Sequence, residues 1–463
     1  MGYIGYILGL IWIVVLWYLI LRSIAPSTKI FYRLEFFIYS FLLGLIVVPF
    51  LLFIGGLFGI PLNIWGINSI LVVVLWILCV YLYFHRTSIS FERVDWPASF
   101  IKLSVWKRLA LIVAWIWIVI KLIIGGLDIL ATPTYTDDAF ANWNSRAKTW
   151  FYAENLVLDT TNPRFLGGWY KQYPPTVPMA KTYFTKFFGS WNEGVANSFS
   201  LLVYISACIV LFFALYRESG SIVLWSIGIY IVTSIPLLHI HGTNPYFDLF
   251  MGLYFFIATY FLFLFLSKRI DYKLPLMFFG LLVYTKTEGL VIFLTTVLFC
   301  LWFFVWLQMY RKDRALIAPA IKITVGSLLF GLPFIIFKIV YGLGFGNGNA
   351  AIGATQLSFH PEIFRPLIEA LFFEGNYNFF FFFFLLVFLI HGWKIWKSKK
   401  WIDGLFLLAF LISFWLFFAI FLFTFNYTEV LTQTWVNRSM IQIMFVWLFY
   451  MIMSVYQLLI YKK

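Results

Sequence analysis

The chain has 463 residues, 63% of them hydrophobic and 11% charged, with a formal net charge of +14. Soluble domains are about 45–50% apolar and about 25% charged, so too little polar surface exists here to coat a water-soluble globule. Apolar runs of about 20 residues recur from end to end, the length a helix needs to cross a bilayer. They exclude a soluble enzyme, a disordered chain, a secreted disulfide scaffold and a barrel of alternating strands. The composition predicts an all-α polytopic membrane protein.

The first run, residues 3–21, lacks a cationic start and a small-residue cleavage site, and reads as a retained span. Further spans are predicted at 36–57, 68–85, 107–126, 196–216, 221–239, 246–267, 274–284, 289–310, 317–340, 377–393, 404–425 and 438–460, about 13 crossings in all. The run 274–284 is short, since 11 residues reach only about 16 Å. It fits a short helix ending in a protein cavity or one arm of a re-entrant hairpin. Cys79, Cys208 and Cys300 lie in apolar runs without metal-ligand spacing and read as buried thiols. The run Phe379–Phe384 reads as lipid-facing bulk.

Charge then sets the sidedness. One set of loops carries 22 basic against 7 acidic residues, a balance of +15; the other side carries 11 against 12, a balance of −1. The basic side is expected to be cytoplasmic, with the N-terminus outside and the C-terminus inside. The positive charge is thereby absorbed by topology and attraction to anionic lipid rather than nucleic acid. Two outer loops are long, about 127–195 and 341–376. The first is the most polar stretch of the chain and longer than a connector requires, so function is expected there.

Five segments carry candidate chemistry. Residues 136–148 begin with Thr136, Asp137 and Asp138 and place Phe140, Trp143, Ala147, Trp150 and Phe151 at helical spacing. This predicts an amphipathic surface helix whose paired acids serve as general base, metal ligand or helix cap. Lys171-Gln172-Tyr173-Pro174-Pro175 leads into a second surface helix at about 176–190. Lys286 and Glu288, in Tyr284-Thr285-Lys286-Thr287-Glu288-Gly289, fall below the membrane surface, where ionisable groups face a cavity or one another. Asp248 opens one span and Arg438 another, each readable alone as an interfacial anchor. His239 and His241 stand two apart, off a common helix face.

In order, TDDAFANWNSRAK, YPP, NPYFDLF and YTKTEG resemble the bacterial lipid-carrier-dependent glycosyltransferases of the C-type (GT-C) membrane fold, among them aminoarabinose transferases and protein O-mannosyltransferases. The resemblance implies a catalytic module over residues 107–340 with the outer loop 127–195. It leaves residues 1–106 as a three-span N-terminal addition and 341–463 as an outer loop with variable C-terminal spans. It also implies an inverting transfer of sugar from a polyprenyl-phosphate donor to a hydroxyl acceptor (glycan, lipid or protein) at the outer face of the plasma membrane. Asp137 or Asp138 takes the base role in this scheme. Lys148, Lys286 and Arg438, with Arg146 and Lys171 behind them, face the donor phosphate, and Asp248, Glu288 and Tyr173 support them. Aminoarabinose transferases have a Lys directly before the Pro-Pro pair, where this chain has Tyr173. No cofactor is firmly implied, and a divalent metal on the acid pair stays open. The competing class is a lipid or glycan transporter or flippase, which would place paired ionisable residues near the midplane of both halves of a repeat.

Overall fold

Proline and small polar residues punctuate a nearly continuous series of apolar helices. A computed structural model describes residues 2–24, 31–85, 91–92, 96–135, 138–168, 171–344, 357–424 and 426–460. No β-sheet forms among them; a single isolated bridge joins Tyr32 and Glu92. The helices are α1 (Gly2–Ile24), α2 (Arg33–Leu57), α3 (Ile64–Phe84), α4 (Trp96–Ile101), α5 (Val105–Ala131), α6 (Ser145–Ala153), α7 (Thr176–Phe188), α8 (Glu193–Ser219), α9 (Ile222–Ser234) and α10 (Pro236–Thr243). They continue as α11 (Asp248–Leu266), α12 (Lys273–Leu282), α13 (Thr295–Tyr310), α14 (Ile317–Val340), α15 (Phe364–Phe372), α16 (Phe380–Ser398), α17 (Leu405–Phe423), α18 (Tyr427–Leu431) and α19 (Thr434–Ile460).

Among the described residues, 11 helices are long and apolar enough to cross a membrane, or up to 12 if α9 and α10 form one span. The chain is thus an all-α polytopic membrane protein, with fewer helices of spanning length among the described residues than the 13 crossings its hydropathy predicts. Two runs account for the difference. The run 221–239 breaks at Pro236, which cannot continue a helix, and the two pieces meet at 75°. The run 274–284 yields α12, only 10 residues long. Local chemistry sets other boundaries: the side chains of Asn63 and Asn192 accept the N–H groups of Gly66 and Val195, both at 2.9 Å, and so open α3 and α8.

The two helices predicted in the first long loop form as α6 and α7, with a π-helical stretch Ala139–Asn144 leading into α6. Residues 176–185 of α7 are all buried, enclosed by α1, α2, α6 and α8 rather than open along one face. The core centres on α11, which is buried along nearly its whole length and packs on α8, α12 and α19. Its crossing with α19 depends on Gly252, where a Cβ would stand 2.9 Å from the Ile441 carbonyl oxygen. The Phe run is only half lipid-facing. Phe380, Phe381 and Phe384 surround Trp447 at ring distances of 4.8, 4.2 and 4.3 Å. Cys208 and Cys300 are buried as expected, whereas Cys79 is exposed on α3.

Two ionic clusters mark opposite ends of α11. Near its C-terminal end, Arg217 pairs with Glu35 and donates to the Tyr260 hydroxyl at 3.0 Å, and Tyr260 donates to Glu218 Oε1 at 3.0 Å. Asp248 anchors the other cluster at the first residue of the helix.

Candidate functional site

Asp248 is fully buried and gathers donors from three directions. Gln442 Nε2 donates to its Oδ1 at 2.6 Å, Lys286 Nζ approaches the same oxygen at 3.1 Å, and Arg438 Nε donates to Oδ2 at 2.9 Å. The same arginine reaches outward, with Nη1 2.5 Å from Asp138 Oδ2. Lys286 Nζ also lies 3.1 Å from Glu288 Oε1. Three carboxylates and two cations thus form one chain of contacts, Asp138–Arg438–Asp248–Lys286–Glu288. Removing Asp248 or Lys286 from the enclosed part of this chain is costly, because the partners left behind are largely out of water.

The backbone explains how these groups meet. Asn244 and Pro245 separate α10 from α11, which leaves Asp248 in the first turn of α11, where the positive end of the helix favours a carboxylate. Asp138 and Glu288 each stand immediately before a π-helical stretch, Ala139–Asn144 and Gly289–Leu294. Such stretches interrupt regular pairing and recur at functional sites. Arg438 and Gln442 are four residues apart on α19 and share one face. Aromatic rings back both cations. The ring of Tyr173 lies 5.7 Å from Lys286 Nζ, and the Tyr246 ring, stacked on His241, lies 5.6 Å from the Arg438 guanidinium. His241 Nδ1 is 3.7 Å from Asp248 Oδ2, beyond hydrogen-bond distance.

A third cation, outside this chain of ion contacts, supports the acidic loop. Lys181 of α7 donates to Asn144 Oδ1 at 2.5 Å and Asn197 Oδ1 at 3.0 Å. Both asparagines donate in turn to Thr134 Oγ1, at 2.9 and 2.8 Å. The knot ties residues 134 and 144, on either side of the acid pair, to α7 and α8. Burial pushes the Lys181 ammonium down to about 7.

The structure brings together Asp138, Tyr173, Asp248, Lys286, Glu288 and Arg438 of the residues read from sequence. Asp137 and Thr136 lie outside the described residues. Three predicted phosphate-facing cations stand elsewhere. Arg146 is buried and donates to the carbonyls of Leu166 and Tyr173 at 3.2 and 3.4 Å, so it shapes the Tyr173 loop. Gly167 has φ +88°, and a Cβ added there would stand 2.9 Å from Arg146 Cα. Lys171 is exposed beside the Phe165 ring, and Lys148 is exposed on α6; among the described residues, no hydrogen bond or ion pair joins either to the cluster. Sequence reading missed Gln442, Tyr246 and Lys181. Gln442 was recoverable from its i+4 spacing to Arg438, whereas Lys181 carries no signal beyond being a lysine in a helix of mixed apolar and polar residues. Among the described residues, no group of three His, Cys, Asp or Glu side chains forms a metal-ligand set. The chain matches no family model, no curated protein and no solved structure.

Proposed function

We propose that the chain is an inverting GT-C-type membrane glycosyltransferase that moves a sugar from a polyprenyl-phosphate donor to a hydroxyl acceptor at the outer face of the plasma membrane. One observation carries the reading: a carboxylate suited to proton removal and two cations suited to a phosphate meet through a single buried acid, Asp248, although they come from four distant parts of the sequence. In the reaction, Asp138 or Asp137 takes the acceptor hydroxyl proton as the oxygen attacks the anomeric carbon. The bond from that carbon to the donor phosphate breaks, and the phosphate leaves with the electron pair. General-base assistance of this kind is worth about 10²–10⁴-fold. Arg438 and Lys286 take up the charge that accumulates on the leaving phosphate. Asp248 and Gln442 are positioning residues for those cations, and Tyr173 and Tyr246 form the wall behind them. An apolar belt of membrane helices suits a donor whose tail stays in lipid.

The test is turnover. Purified protein in vesicles is given a polyprenyl-phosphate sugar with mixed hydroxyl acceptors, and release of free polyprenyl phosphate is measured. Release by wild type, reduced at least about 100-fold by Asp138→Asn or Asp137→Asn, supports transfer. Movement of the donor across the bilayer without release would replace the reading with a flippase.

A further inference from the structure

We propose that the end of the bundle opposite Asp248 carries a binding site for an anionic phospholipid, with one acyl chain seated in a cavity between α5, α8 and α9. The cavity has a volume of about 560 Å³ and is walled by residues such as Trp115 of α5, Ile209 and Phe213 of α8 and Trp225 of α9. Its one hydroxyl, Ser226, already accepts from Trp115 Nε1 at 3.1 Å. Apart from this hydroxyl, the Trp115 and Trp225 indoles and the Cys208 thiol, the lining is hydrocarbon, and no charged side chain enters it, so the occupant of the cavity is a hydrocarbon chain.

Length and charge narrow the occupant further. The lining on α5 runs from Leu111 to Leu122, a rise of about 16 Å. That is about half of a roughly 30 Å hydrocarbon core, the depth of one leaflet. Three lining residues have cations near them in sequence: Leu34 follows Arg33, Phe100 lies two before Lys102, and Leu111 lies one turn after Lys107 and Arg108. Lys107 also borders an adjoining apolar groove that shares Leu111. Lys107 is exposed and stands one turn before Leu111, the residue common to both linings, with the half-buried Arg108 beside it in sequence. Basic pockets between membrane helices bind anionic headgroups in this way. The site therefore takes a two-chain phospholipid of the phosphatidylglycerol class, and it is independent of the transfer site at the other end of α11.

The full-length protein, stripped of lipid in detergent, is titrated with phosphatidylglycerol or phosphatidylcholine while its melting temperature is followed. Phosphatidylglycerol should raise the melting temperature and phosphatidylcholine should not. Replacing Lys107 and Arg108 together with Gln should weaken the phosphatidylglycerol response roughly 30-fold in concentration, the factor expected for two interfacial cations. Ile209→Trp, which fills the cavity, should remove the response while the helical signal persists. An equal response to both lipids, an undiminished response in the Lys107/Arg108 variant, or a folded Ile209→Trp protein that still responds would each overturn the proposal. So would displacement of phosphatidylglycerol by polyprenyl phosphate, which would give the cavity to the donor tail. Should Ile209→Trp fail to fold, the Lys107/Arg108 variant decides alone, since its changes lie at exposed and half-buried positions.

Discussion

Asp248 has more partners than either cation it holds, and this makes it the most sensitive residue of the cluster. Asp248→Asn preserves size but leaves the buried Lys286 and the half-buried Arg438 with one charge too few. Unfolding stability should fall by about 3–5 kcal/mol, the usual cost of breaking a buried pair, and transfer should fall at least about 100-fold. Melting temperature and release of lipid phosphate, read on one purified sample, check both; a variant of normal stability and activity would reduce Asp248 to an interfacial anchor. Lys181 makes a different prediction. Its ammonium is lowered by burial from 10.5 to about 7, so between those limits the unfolded chain holds a proton the folded chain has released. Stability from this residue therefore rises as pH climbs from about 7 toward about 10.5, and the full burial penalty is present below about 7. Lys181→Met should flatten that slope in melting curves taken across the range. An unchanged slope would assign the pH response to another group.

Among the helices, the crossing of α11 with α19 sets the distance between Asp248 and both Arg438 and Gln442. Gly252 permits it, because any Cβ there meets the α19 backbone at 2.9–3.2 Å. Backbone cannot rotate aside as a side chain can. Gly252→Ala should cost about 1–3 kcal/mol through overpacking and depress transfer by separating the two halves of the cluster. Gly392→Ala on α16, where an added Cβ would meet nothing beyond its own helix backbone within 4 Å, serves as the control and should change neither property. Equal behaviour of the two variants would show that α11 and α19 do not need this close approach. The same scale shows what hydropathy could read. Eleven long spans were legible because each is a single continuous apolar run. The break at Pro236 was also written in the sequence, but a hydropathy window averages across one proline. Enclosure of α7 was not legible, because residues 176–188 mix apolar and polar side chains and the α1 and α2 surfaces that cover them lie far away in the chain.

For the molecule as a whole, the charge asymmetry of +15 against −1 predicts that the Asp248 end faces outward. A cysteine placed at Asn155 should react with an impermeant thiol reagent on intact cells, and one at Ser398 should not. The reverse pattern would put the acidic loop in the cytoplasm and remove the functional argument. The candidate site was legible in part for a related reason. Asp248, Lys286, Glu288 and Arg438 are ionisable residues at the ends of apolar runs, where a charge needs a reason to be, whereas Asp138 was read from its place at the start of a helix in the outer loop. Lys148, Arg146 and Lys171 sit in a polar loop, where a cation needs none, and their separation from the cluster depends on tertiary packing that no spacing reveals. The most direct measurement is the affinity of the purified protein for polyprenyl phosphate, taken for wild type and for Lys286→Gln and Arg438→Gln together with the melting temperature of each. Both substitutions should weaken binding at least about tenfold, as expected for the loss of a charge-assisted contact. Unchanged affinity in folded variants of both residues would show that the cluster is an ion-pair strut and not a phosphate site.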